Sequence, residues 1–380
     1  MQQIINGIGF LPDILHEVGC KKLFLVVDSS FPFLNIKDAI QSLPVEERVM
    51  FSDFTPNPIY GQVCKGFDLL KSSRCDAILA VGGGSAIDVA KCIKLAVLAE
   101  RGNASLIPPL VSQRLTIDGS RIPFIAIPTT AGTGSESTHN AVMYYDGAKQ
   151  TITNDGILPD YAILEPSVLK TLPLYQKKCT MMDALCQGIE SWWSVHSTDE
   201  SKDYSRMAVE IIMSNWRKYI FDNDPVAAEQ IMLAANYSGR AINIAQTTAA
   251  HAFSYKISSL YRIPHGHAVA VGLPEIWVFM VRHMDRCVDV KGEEYLAKVF
   301  FEIAESMGCD TPKDAIALFR RMMEELSLNN PISENWAEEL AILSSSVNPV
   351  RLKNNPVSLD SNTIGSLYES IVVHHSWAKR

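Results

Sequence analysis

Two different hydrophobic periods divide this chain, and the division restricts its fold more than any single motif does. In the first half, short apolar runs, "KKLFLVVD" (21–28), "DAILAV" (76–81) and "IPFIAIP" (122–128), alternate with amphipathic stretches such as "GQVCKGFDLLKSS" (61–73). Continuous apolar runs alternating with helical patterns predict a doubly wound parallel sheet with both faces covered. From about Glu165 the pattern changes to 3.6-residue spacing over 174–196, 200–220, 225–245, 291–307, 311–327 and 333–346, which predicts a second domain built of helices. At 380 residues the chain exceeds the size at which one core stops growing. The expected division is a doubly wound α/β domain over 1–166 and an all-α domain over 167–380, joined at the proline-marked stretch "LEPSVLKTLP". A site in the cleft between them is expected.

Composition excludes several classes of function. The net charge of −8 is spread without long runs of one sign, so no basic stripe suggests a nucleic acid partner. The eight cysteines contain no Cys-x-x-Cys pair, which points to reduced thiols and a cytoplasmic address. No basic-then-apolar leader and no run long enough to span a bilayer are seen, so no membrane role is expected. The start at "MQQIING" predicts a short or truncated first strand.

Two polar loops follow predicted strands. In "AILAVGGGSAIDVAK", Gly82-Gly83-Gly84-Ser85 lies between a strand ending at Val81 and a helix starting near Ala86. Glycines allow close approach to a pyrophosphate, whose charge suits free N–H groups and the positive end of a helix dipole; the same residues also make a tight strand-to-helix turn. "IPTTAGTGSES" (127–137) is rich in hydroxyls and glycines, as suits a wall around a nicotinamide ribose. Two such loops at the carboxyl ends of neighbouring strands favour the dinucleotide reading. Asp28, ending "LFLVVD", is either a ribose acceptor that repels a 2′-phosphate or a helix N-cap. The familiar G-x-G-x-x-G is absent.

The stretch Asp183 to His265 carries a second chemistry. Asp183 and Gln187 are four apart, on one face of a helix, and His251 and His265 follow, the latter in "IPHG" where proline and glycine are expected to end one helix and re-aim the chain. Four convergent donors of this kind suit zinc, ferrous iron, nickel or manganese; a buried histidine pair with a capping aspartate is the alternative.

Together these segments resemble the iron-containing (group III) alcohol dehydrogenase family along nearly the whole chain. The resemblance is carried by "PNP" (56–58), "GGGSAIDVAK" (82–91), "PTTAGTGSE" (128–136), "LPDYAILEP" (158–166), "MDALCQGIES" (182–191), "IPHGHAVAVGLP" (263–274) and "NNPVSLDSNTI" (354–364). It implies a Rossmann-like domain followed by a helical metal-binding domain, as in dehydroquinate synthase, and hydride transfer between NAD(P) and a small alcohol or aldehyde. It places the metal, Fe²⁺ or Zn²⁺, on Asp183, Gln187, His251 and His265. Gln187 departs from the family's usual histidine, and Tyr255 replaces another. The implied catalytic group is Asp183, His251, His265, Tyr255 and His267, with proton transfer assigned to Tyr255, His267 or water. Cofactor contacts fall on Asp28, Gly83, Gly84, Ser85, Asp88, Thr129, Thr130, Thr133 and Lys149, with NAD favoured by Asp28 and NADP as the alternative. His139 and Asn140 fall at the substrate position.

A closer resemblance, in "GSESTHNAV", "GRAINI", "TTAAHAFSY" and "MDALCQGIESWWSVHSTDES", is to the phosphonoacetaldehyde reductase subgroup, where the glutamine and tyrosine are part of the pattern. It implies reduction of phosphonoacetaldehyde to 2-hydroxyethylphosphonate, with His139, Lys256, Arg262 and His267 as candidate anion donors. The alternatives are a general primary alcohol dehydrogenase, a dehydroquinate synthase-like lyase, or a degenerate binding relative. The family tends to homo-oligomers, with a dimer expected.

Overall fold

The computed structural model describes residues 2–101, 122–347 and 352–374. The chain separates into two compact units, Met1–Leu172 with Asn223–Gly239, and Pro173–Asp222 with Arg240–Arg380.

The first unit is built on a parallel sheet of strands β1 (Gln3–Asn6), β2 (Lys22–Val27), β3 (Glu47–Phe51), β4 (Ala77–Gly82), β5 (Phe124–Pro128) and β8 (Tyr161–Leu164) in the order β1-β8-β5-β4-β2-β3. Every pairing in it is parallel. Helices α1 (Leu11–Glu17), α2 (Lys37–Gln41), α3 (Tyr60–Ser73) and α4 (Gly84–Arg101) lie between strands in the chain, as parallel connections require. The apolar runs read from sequence are the buried central strands: Phe24, Val26, Ile78, Ala80, Phe124 and Ala126 pack with Phe67, Ile87 and Ile93 of α3 and α4. Between β5 and β8 an antiparallel hairpin, β6 (Asn140–Tyr145) and β7 (Ala148–Thr153), projects from the chain. Val142, Tyr144 and Tyr145 favour a strand and Asp146-Gly147, both at positive φ, make the turn, a hairpin signal that the sequence reading missed.

Register explains where the polar loops emerge. Val27 pairs with Val81, and Gly82 with Pro128, so β2, β4 and β5 end level with one another. Asp28, the glycine turn and the hydroxyl loop therefore leave the sheet side by side at its carboxyl edge, as ligand sites in open α/β sheets do.

The second unit is helical: α5 (Leu174–Trp193), α6 (Asp199–Arg217), the end of α7 (Pro225–Ala245), α8 (Ala249–Tyr261), α9 (His265–Arg282), α10 (Glu293–Ser306), α11 (Pro312–Glu325), α12 (Trp336–Ser346) and α13 (Ser361–Ile371). Side chains close the amino ends of several. Thr198 and Ser201 form a reciprocal capping box on α6, Thr311 accepts from Asp314 N on α11, and Asp360 accepts from Thr363 N on α13. α5 is the central element, every residue from Met181 to Trp193 being buried. Trp193 lies edge-on to Trp277 and Phe300, at ring separations of 5.3 and 5.9 Å. Among the described residues no helix is long and apolar enough to cross a membrane.

The expected boundary at 166/167 is displaced. Residues 167–172, beyond the proline-marked boundary, and 223–239, most of it in a stretch of helical periodicity, group with the sheet unit. For 223–239 the tie is a backbone-to-backbone approach of the hydroxyl loop to α7. A Cβ on Gly134 (φ +60°) would stand 2.3 Å from Gly239 Cα, so neither position tolerates a side chain. Asn236 fixes the contact, its Nδ2 donating to Glu136 Oε1 (3.1 Å) and Ser137 Oγ (2.6 Å).

Candidate active site

In the sheet unit, the glycine turn is shorter than expected, and α4 begins at Gly84 rather than near Ala86. Asp28 occupies the space that side chains at the turn would fill: a Cβ on Gly82 would lie 2.5 Å from Asp28 Oδ2. That oxygen accepts the Gly83 N–H at 2.8 Å, and Oδ1 accepts Ser30 N–H at 2.9 Å. One N–H expected to face a phosphate is thus held by Asp28, which latches the turn. Gly84 gives room to Thr133, whose Oγ1 would be 2.9 Å from a Cβ there. The Gly82 carbonyl accepts Thr129 N–H at 3.0 Å. Gly83, Gly84, Ser85, Thr130 and Thr133 are partly exposed along this edge, whereas the Thr129 side chain is buried.

Asp88, expected among the cofactor contacts, turns both oxygens into the protein: Oδ1 accepts Ser135 Oγ–H (2.6 Å) and Oδ2 accepts Val142 N–H (2.9 Å). Burial raises its pKa against the opposing effect of Lys91. Lys149 sits on β7 and its charge acts on Asp88. His139 Nδ1 pairs with Asp155 Oδ1 at 3.0 Å, and burial lowers its pKa, so it is a poor cation. Asn140 Oδ1 accepts Thr153 Oγ–H at 2.6 Å.

In the helical unit the expected ligands converge. Single donor atoms of Asp183, His251 and His265 all lie within 4.8 Å of one another. His251 Nε2 is 3.4 Å and His265 Nε2 4.0 Å from Asp183 Oδ1, and ligands about 2.1 Å from a shared ion stand roughly 3–4 Å apart. Gln187 lies one turn further along the same buried face of α5. Asp183 and His251 are buried, while the His265 side chain is 37% exposed, so the cluster opens on the His265 side.

Local sequence accounts for this convergence. Arg262, in the left-handed conformation (φ 54°), ends α8, and Pro264 starts α9 with His265 as its first residue. Gly266 does not break the helix as expected. It lies in the first turn of α9, where a Cβ would stand 2.0 Å from Cys179 O and 2.8 Å from Asp183 Cβ, so its missing side chain lets His265 approach Asp183.

Glu190, which the sequence reading missed, organises the cluster. Fully buried, it accepts through Oε1 the N–H groups of Thr248 (3.0 Å), Ala250 (3.0 Å) and His251 (3.3 Å) and the Thr248 hydroxyl (2.7 Å), capping α8 from another helix. Its Oε2 pairs with His251 Nδ1. A carboxylate on Nδ1–H directs the other nitrogen's lone pair outward, the arrangement found behind metal-bound histidines. That nitrogen, Nε2, is buried and makes no hydrogen bond. Burial pulls the His251 pKa down, but Glu190 and Asp183 outweigh it and raise it to about 9, so a cation binding at Nε2 would displace the proton that Asp183, 3.4 Å away, otherwise holds there. An open imidazole nitrogen beside a carboxylate fits a divalent cation better than it fits a closed structural pair.

Tyr255 stacks on His265, with rings 5.7 Å apart and 3° from parallel. His267 is not placed for catalysis. Its Nε2 donates to the Asn329 carbonyl (2.9 Å), leaving Nδ1 to accept the Tyr175 hydroxyl (2.9 Å), and burial lowers its pKa. It is neither a free proton relay nor an anion donor.

A parallel sheet with polar turns at its strand ends, in one chain with a helical unit holding a carboxylate–imidazole cluster, is the plan of a metal-centred alcohol dehydrogenase. The chain belongs to the iron-containing alcohol dehydrogenase family: "Iron-containing alcohol dehydrogenase" matches residues 3–166 and "Fe-containing alcohol dehydrogenase family, C-terminal" residues 178–372. It is 32% identical over 273 residues to the probable alcohol dehydrogenase EutG of Escherichia coli (strain K12), a match covering 69% of this chain and 66% of that protein. It is also 32% identical over 313 residues to the phosphonoacetaldehyde reductase of Streptomyces viridochromogenes, covering 78% and 76%. Its fold matches that of the sulfoacetaldehyde reductase of Bifidobacterium kashiwanohense, solved with NAD⁺, with a TM-score of 0.83, 24% identity and coverage of 97% and 96%.

Proposed function

We propose that this protein is an NADH-linked, metal-dependent reductase of a small aldehyde bearing a phosphonate, converting phosphonoacetaldehyde to 2-hydroxyethylphosphonate. The observation that carries the chemistry is His251 Nε2, held open beside Asp183 and His265 in a buried setting. Asp183, Gln187, His251 and His265 would hold the cation, Fe²⁺ or Zn²⁺. When bound, the cation supplies Lewis acidity at the aldehyde oxygen and NADH supplies the hydride. Glu190 keeps His251 in the tautomer that presents Nε2. Gly266 keeps His265 close to Asp183. The proton that completes the alcohol comes from Tyr255 or from water, since His267 has no nitrogen to spare.

Gly83, Gly84, Ser85, Thr130 and Thr133 bind the dinucleotide at the sheet edge, with Asp28 setting the preference for NADH over NADPH. His139 and Asn140 remain the proposed substrate residues. The eight cysteines, all free thiols, support a reducing, cytoplasmic setting, and we assign a homodimer from the family's habit.

The phosphonate reading is supported by identity to the Streptomyces enzyme, and the general alcohol dehydrogenase reading by equal identity to EutG. A panel of aldehydes assayed with NADH and NADPH after metal reconstitution separates them. Phosphonoacetaldehyde should exceed propanal and butanal in kcat/KM by roughly ten- to a thousandfold, because donors that meet the anion are left unsatisfied when it is lost. With His267 closed and His139 a poor cation, the half-buried Lys256 and exposed Arg262 are the remaining side-chain candidates. Parity between them assigns a general alcohol dehydrogenase, and turnover without NADH consumption points to the dehydroquinate synthase-like reading.

A further inference from the structure

Lys91 is fully buried in α4, yet its ammonium is completely satisfied. Nζ donates to Ser135 Oγ (3.0 Å), Thr138 Oγ1 (2.9 Å) and the Asn140 carbonyl (2.7 Å). Asp88, one turn earlier on the same helix, accepts Ser135 Oγ–H and Val142 N–H. Ser135 therefore accepts from the lysine and donates to the aspartate. Two opposite charges on one helix grip the segment 135–142 through five hydrogen bonds to four groups: Ser135 Oγ of the hydroxyl loop, Thr138 Oγ1 just beyond it, and the Asn140 carbonyl and Val142 N–H of β6.

The helix carrying this grip begins at the glycine turn, and the segment it grips continues the loop of Thr129, Thr130 and Thr133. The two loops also touch directly, Gly84 giving room to Thr133 and Gly82 accepting from Thr129. Well-packed apolar side chains would fill the space as well as two buried charges do, and a polar arrangement this complete specifies one geometry. We infer that Lys91 and Asp88 are positioning residues that fix the hydroxyl loop against the glycine turn, so that both loops meet a dinucleotide at one spacing without either residue touching it. This rests on the reading of those loops as the cofactor site.

The test compares NADH with AMP, which is too short to engage both loops. With Lys91→Met, the NADH dissociation constant should rise roughly ten- to a hundredfold, as expected for buried groups left unsatisfied, while that of AMP changes less than threefold. Metal content, which depends on the other unit, should stay the same, and in turnover KM for NADH should rise more than kcat falls. If Lys91→Met does not fold, Ser135→Ala keeps both charges and should shift NADH affinity in the same direction by a smaller factor. Unchanged NADH affinity in a folded variant, or equal losses for NADH and AMP, overturns the inference. Failure of the wild-type protein to bind either NADH or NADPH would instead remove the cofactor reading on which it rests.

Discussion

Two buried polar clusters, one in each unit, handle their hydrogen-bonding groups in opposite ways. In the sheet unit every proton of the Lys91 ammonium has an acceptor, and Asp88 uses both oxygens. In the helical unit Glu190 is equally well satisfied, but the histidine it holds ends in a buried nitrogen with no hydrogen bond. A closed network fixes geometry; an open one, at the end of a chain of oriented groups, is shaped for a ligand. Other buried atoms such as Trp277 Nε1 and Asn236 Oδ1 also lack a hydrogen bond; the His251 nitrogen is the informative one because a carboxylate and a second imidazole converge on it.

The contrast breaks most sharply at the ligands. Asp183→Ala and His265→Ala should each lower turnover by on the order of 10³-fold or more and abolish metal retention, while leaving NADH affinity largely intact. Full metal by elemental analysis in either inactive variant would place the ion elsewhere. The next effect lies one step behind. Glu190→Gln should weaken metal affinity by about 10- to 100-fold, because the amide no longer fixes the His251 tautomer, and equilibrium dialysis reads this directly. Unchanged affinity would reduce Glu190 to a helix cap.

A third effect belongs to the sheet unit and depends on pH. Burial lowers the Lys91 pKa from 10.5 to about 8. Between those values the unfolded chain binds more protons than the folded one, so this group's contribution to stability rises with pH across the window. Denaturant titrations of wild type minus Lys91→Met should show that rise, on the order of 1–3 kcal/mol. A flat or falling difference would mean that the three hydrogen bonds hold the ammonium charged throughout. The smallest effect sharpens the choice of metal. Gln187→His should tighten retention of a late divalent ion several-fold, imidazole being the better donor. Equal or weaker retention on dialysis would turn Gln187 away from the site.

Much of this was legible in the sequence where burial is continuous. β2, β4 and β5 are strands covered on both faces, so their apolar runs stood out, as did the periodicity of α5, α6, α7, α10, α11 and α12. The four-residue β1 and β8, with polar or aromatic ends, carried too little pattern, and the grouping of 223–239 with the sheet unit was hidden because periodicity does not say which core a helix joins. Glu190 and Lys91 escaped notice since a single charge in a helix reads as a solvated face. A signal existed: Asp183, Gln187 and Glu190 are spaced i, i+4, i+7 in a helix that is otherwise apolar there, and Asp88 and Lys91 are i, i+3 in "AIDVAKCIKLAVLA". Charges repeating on the apolar face of a buried helix are network members. The Tyr175–His267–Asn329 chain had no such mark, because its partners come from separate segments.

The most direct measurement is a calorimetric titration of metal-free, reduced protein with Fe²⁺ or Zn²⁺, run beside His251→Ala. The account predicts saturable binding of a single ion per chain in the wild type, a higher melting temperature on saturation, and loss of both in His251→Ala. Binding of equal strength and stoichiometry in His251→Ala, or no saturable binding in the wild type, would contradict it.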